Sequence, residues 1–81
     1  MGKYYITIKY KQLMALIDFV VLDYGFIFKH GKKHHKLVST SGASIPVPHK
    51  HPHLSPGVVE TICKFLKQEG IKDKVIAKYV L

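Results

Sequence analysis

The hydrophobic pattern of this chain changes period at Gly25, and that change leaves few folds open. From Tyr10 onward, Leu13, Met14, Ile17, Val21 and Tyr24 recur at spacings of three and four, which lines them up on one face of a helix. A glycine just past the last periodic residue closes a helix in the left-handed conformation, and Phe26-Ile27-Phe28 then reads as a strand. His30-Gly31-Lys32-Lys33 forms a turn, residues 34–39 a second strand, and Thr40-Ser41-Gly42 the next reversal. A third strand, Ser44–Val47, ends at Pro48, which has no amide hydrogen to give a ladder. Helix followed directly by a three-stranded antiparallel meander is the expected amino-terminal half.

The second half starts at Ser55-Pro56, a serine placed to cap free amides and a proline that loses no hydrogen bond at the first helical position. Val58, Val59, Ile62, Phe65 and Leu66 supply an apolar face, Gly70 stops the helix, and Val75, Ile76, Tyr79 and Val80 have the spacing of a last short helix. The expected order is α-β-β-β-α-α, an α+β sandwich with the helices on one face of the sheet and the other face open. That is the element order of the double-stranded-RNA-binding domain, although an order of elements does not establish a function. Residues 1–8 alternate weakly and read as a short strand or an ordered arm, within one domain spanning residues 1–81.

Hydrophobic residues make up 47% of the chain, too many for a disordered segment. All thirteen basic residues are lysines, set against five acids, for a formal net charge of +8. Such an excess attracts phosphate backbones through counterion release, and equally anionic membranes or acidic proteins. Cys63 stands alone, which excludes an intramolecular disulfide and a zinc site built on paired thiolates, and points to a cytoplasmic setting. The apolar run at residues 13–22 follows Lys3, Lys9 and Lys11 as a secretory leader would, but Asp18 interrupts it and no small-residue cleavage site follows. The run is also about half the length that spans a bilayer, so it reads as a buried helix and no membrane partner is expected.

All six histidines fall between His30 and His53. Histidine exchanges protons near neutral pH and neighbouring lysines hold phosphate, a combination suited to RNA cleavage. There, a base takes the proton of a ribose 2′-hydroxyl, which attacks the adjacent phosphorus while cations stabilise the crowded oxyanion, and no metal is needed. His34 and His35 are adjacent on a strand and must point to opposite faces. With Leu37 under the helices, His35 shares the buried side and His34 projects to solvent with Lys36; in the opposite register Val38 would go inward and take His34 with it. Lys29, Lys32, Lys33, Lys36 and Lys50 are candidate phosphate contacts. A rival chemistry is metal binding by the alternating His49, His51 and His53, but no acid lies near them and the surrounding lysines repel cations, so neither a metal nor a cofactor is expected. Of the tyrosines, Tyr10 and Tyr24 fit the helix's apolar face rather than a base-stacking surface.

A set of landmarks spans roughly residues 10–81: a helix ending at Gly25-Phe26, the turn Gly31-Lys32-Lys33-His34-His35, Ile45-Pro46-Val47-Pro48-His49, Leu54-Ser55-Pro56-Gly57, and a helix ending at Gly70-Ile71. In order and spacing they resemble the HicA family of toxins. The resemblance implies a domain similar to the double-stranded-RNA-binding fold, metal-independent cleavage of mRNA that blocks translation, and inhibition by a HicB-type antitoxin. It also implies that His34, which follows the glycine turn, is the catalytic histidine. Lys32 and Lys33 stand where the family usually has serine and then histidine or asparagine, so the turn is open to being one residue longer and His35 is the alternative. Either His49 or His51 matches the family's loop histidine.

Overall fold

The computed structural model describes residues 8–49 and 53–80. Its order is β1 (Ile8–Lys9), α1 (Tyr10–Tyr24), β2 (Ile27–Lys29), β3 (His35–Val38), β4 (Ser44–Val47), β5 (His53–Leu54), α2 (Pro56–Gln68) and α3 (Asp73–Val80). The expected meander is present as the antiparallel sheet β2-β3-β4, and the α-β-β-β-α layout with a third helix is the one read from the sequence. A further two-residue ladder pairs Ile8 with Leu54 and Lys9 with His53. Only the end of the expected amino-terminal strand therefore lies in the described residues, and its partner lies far along the chain.

The helix boundaries follow from a few residues. The Lys9 amide donates to Gln12 Oε1 at 3.0 Å and starts α1. Gly25, at φ 76°, ends it. At the start of α2, Ser55 Oγ accepts from the Val58 amide and Pro56 takes the first position. Gly70, at φ 98°, closes α2 in a Schellman turn: its amide donates to the Lys67 carbonyl at 3.1 Å and that of Ile71 to the Leu66 carbonyl at 2.9 Å, with Leu66 and Ile71 both buried.

One apolar core forms between the helices and the inner sheet face, from Leu13, Leu16, Ile17 and Val20 of α1, Leu37, Ile45 and Val47 of the sheet, Val59, Ile62, Cys63 and Leu66 of α2, and Ile76 and Val80 of α3. The buried sector of α1 is rotated from the expected stripe. Leu16 and Val20 are inside, Met14 and Val21 are half-buried, and Tyr24 is exposed rather than core. The helix is apolar on more than one side, so packing selects the sector: α3 lies against α1, with Phe19 next to Tyr79 at 5.7 Å between ring centroids and Gln12 Nε2 donating to the Tyr79 carbonyl. Among the described residues no helix is long and apolar enough to cross a membrane.

The register of the sheet decides which side chains are available. Leu37 faces Phe28 and Ile45, and His35 faces Val47, all on the inner side. Lys36 sits between Lys29 and Pro46, and Val38 between Ile27 and Ser44, on the outer side. Leu37 is fully buried, whereas Ile27, Lys29, Lys36, Ser44 and Pro46 are exposed. At the far end of the hairpin Ser39 is buried, and its hydroxyl donates to Glu69 Oε1 at 2.6 Å, as does that of Ser41. This carboxylate ties the β3–β4 turn to the end of α2 and satisfies a hydroxyl that burial would otherwise penalise.

Candidate functional site

The turn between β2 and β3 is held by its own glycine and histidine. The Gly31 amide donates to His35 Nδ1 at 3.3 Å, which leaves that nitrogen as the acceptor and puts the ring proton on Nε2. A β-carbon on Gly31 would run into the carbonyl oxygen of His34, so this turn needs glycine for space rather than for a positive φ.

His35 points inward and joins three other rings. Its centroid lies 5.2 Å from Phe28, 5.1 Å from His30 and 4.2 Å from His49. Partial burial, and then the nearby His49 and His30, lower its pKa below the ordinary histidine value. His49 Nε2 is shut off from solvent without a hydrogen-bond partner among the described residues. The histidines thus separate by placement: His35 packs inward, tilted onto His49.

His34 does the opposite. It precedes the first residue of β3, is exposed, and contributes to the lining of a cleft of about 390 Å³ that opens between β4 and α2. Ile45, Pro46 and Pro48 form one wall, and Val58, Thr61 and Ile62 the other. Lys36 shares the outer face and is the register partner of both Pro46 and Lys29. Two lysines directly opposite each other on an exposed face repel, a placement that an anionic ligand relieves. Lys32 and Lys33 are exposed in the turn immediately before His34.

Of the residues singled out in the sequence, the structure therefore brings His34, Lys29, Lys32, Lys33 and Lys36 to the turn and open face at one end of the meander, and turns His35 away from them. Lys50 and His51 lie outside the described residues. Among the described residues no three His, Cys, Asp or Glu side chains stand where they could share a metal ion. Cys63 is buried, and burial, with Asp73 and Glu60 nearby, pushes its thiol up to about 11, which keeps it protonated and unreactive at neutral pH. The sequence reading missed the cleft and the grouping of His30 with His35 and His49. Both are made by residues from separate elements, and in the sequence Pro48 was visible as the end of a strand and Pro46 as a residue within it, neither as the wall of a cleft.

In comparisons with known proteins the chain matches no family model, no curated protein and no solved structure.

Proposed function

We propose that this chain is a metal-independent endoribonuclease that cleaves mRNA, the toxin half of a toxin–antitoxin pair similar to HicA, acting in the cytoplasm and held in check by a HicB-type antitoxin. The observation that carries the reading is the sorting of the two adjacent histidines. His34 is solvent-facing at a cleft beside Lys32, Lys33 and Lys36, while His35 is turned inward among aromatic rings.

In this reading the lysines hold the phosphate and stabilise the charge that builds on its oxygens. His34 takes the 2′-hydroxyl proton; the 2′-oxygen bonds to phosphorus, the bond to the 5′-oxygen breaks, and that oxygen leaves with a proton from solvent. The products are a 2′,3′-cyclic phosphate and a 5′-hydroxyl end.

A second reading is supported by one feature. Lys29, Lys32, Lys33 and Lys36 are all exposed around the turn, and such a group of cations holds an RNA backbone without any chemistry. That reading is a non-catalytic RNA-binding or protein-interaction module, in which the lysines supply the affinity. The two are separated by incubating a long mRNA in EDTA with the parent protein and with His34→Ala, and following fragment length on a gel. Cleavage by the parent alone supports the nuclease. RNA bound by both and cut by neither supports the inert module.

A further inference from the structure

We propose that the cleft between β4 and α2 receives one unpaired nucleobase of the RNA, so that the substrate is a flexible single strand and not the duplex that the order of elements suggests. This rests on the RNA-cleaving reading above. The cleft is mostly apolar, walled by Pro46 and Pro48 on the strand side and Val58 and Ile62 on the helix side. Flat, weakly solvated rings gain by entering such a slot, while a phosphate or a ribose does not. The rim supplies the matching charge. Lys36 is the register partner of Pro46, with Lys29 beyond it on the same face, so a base in the slot has its backbone phosphates running toward lysines.

Two polar groups in the slot fit a base. His34 lies in its lining, next to wherever the ribose of a bound nucleotide would rest. Thr61 Oγ1 commits its proton to the Gly57 carbonyl at 2.8 Å, which leaves lone pairs to accept from an exocyclic amine. Bases in an A-form helix are paired and stacked, with only their edges showing in the grooves, so only an unpaired or extruded base reaches this slot. The same freedom suits the chemistry. Attack by a 2′-oxygen needs that oxygen, the phosphorus and the departing 5′-oxygen in line, a near-attack geometry that a stacked helix resists and a splayed strand adopts.

Gly57 offers a clean probe. It lines the slot and is exposed, and a β-carbon built on it meets nothing within 4 Å, so a larger side chain is accommodated at the slot's edge without disturbing the core. Binding is measured by fluorescence anisotropy with a 2′-O-methyl RNA decamer, which cannot be cut, single-stranded and annealed to its complement. Cleavage of the matching unmodified strand is followed in parallel. Expected for the parent is at least tenfold tighter binding of the single strand than of the duplex. Expected for Gly57→Phe, with its folded state checked by circular dichroism, is at least tenfold loss on the single strand and slower cutting, with the salt dependence from the lysines unchanged. Duplex bound as tightly as single strand, or Gly57→Phe binding and cutting like the parent, overturns the base slot and leaves the nuclease reading standing. A parent that neither binds nor cuts RNA overturns both.

Discussion

Replacing Leu37 by alanine, with Val38→Ala as its neighbour control, tests the register that turns His34 out and His35 in. Leu37 is fully buried on the middle strand, between Phe28 and Ile45, whereas Val38 is half-buried on the open face between Ile27 and Ser44. Leu37→Ala deletes three carbons, worth about 2.4 kcal/mol at about 0.8 kcal/mol per buried methylene. The unfilled cavity raises the loss to about 3–5 kcal/mol. Val38→Ala deletes two carbons that are only half-removed from water, about 1 kcal/mol or less. At about 0.05–0.15 kcal/mol per residue, a chain of 81 residues has roughly 4–12 kcal/mol in total, so the first change removes a large part of the stability and the second a small one. Urea unfolding followed by circular dichroism reads both, and Leu37→Val keeps the comparison measurable should the alanine variant fail to fold. A one-residue slip of β3 would exchange the faces of Leu37 and Val38, and of His35 and His34 with them. A larger loss for Val38→Ala than for Leu37→Ala would refute the register and the choice of His34 together.

Other consequences concern the caps, the turn and pH. Gly70→Ala places a β-carbon in the left-handed region at φ 98° and should cost about 1–2 kcal/mol in the same unfolding assay, although nothing stands within 4 Å of that atom. Gly31→Ala should remain folded but cut RNA at least about tenfold more slowly, because the new methyl displaces the His34 carbonyl and with it the turn that carries the site; an unchanged rate would separate the turn from catalysis. His35 has a lowered pKa in the folded protein, so its contribution to stability is complete above the unfolded value near 6.5 and is lost as pH falls through the lower folded one. The hydroxyls of Ser39 and Ser41 hold Glu69 below the usual carboxylate range, so its contribution is present above about 4.5 and is lost in more acidic solution. Thermal melts from pH 8 to 3 should therefore show falling stability in two windows, the upper one absent in His35→Phe and the lower one in Glu69→Gln.

Local signals made most of the fold legible. Gly25 and Gly70 mark helix ends because each adopts the left-handed conformation there, and Ser55-Pro56 marks a start because its cap and first position are local chemistry. Long-range packing was less visible. The sector of α1 that faces inward depends on contact with α3, so Tyr24 was assigned to the core and Leu16 and Val20 were left out of it. The ladder between β1 and β5 is too short to carry a period of its own. At the site, strand alternation put His34 and His35 on opposite faces but left open which one turns inward, since Leu37 and Val38 are both apolar; the burial of Leu37 in the structure decides it. Alternation says nothing of His49, which reaches His35 from beyond β4, nor of Thr61, which approaches the His34 cleft from α2.

The chemistry of the cut ends bears most directly on the nuclease. A single-stranded RNA is incubated in EDTA with the parent and with His34→Ala, and the new termini are weighed by mass spectrometry. Expected are 2′,3′-cyclic phosphate and 5′-hydroxyl ends from the parent and uncut RNA from the variant. Ends bearing 3′-hydroxyl and 5′-phosphate, or equal cutting by both proteins, would contradict a 2′-hydroxyl attack assisted by His34.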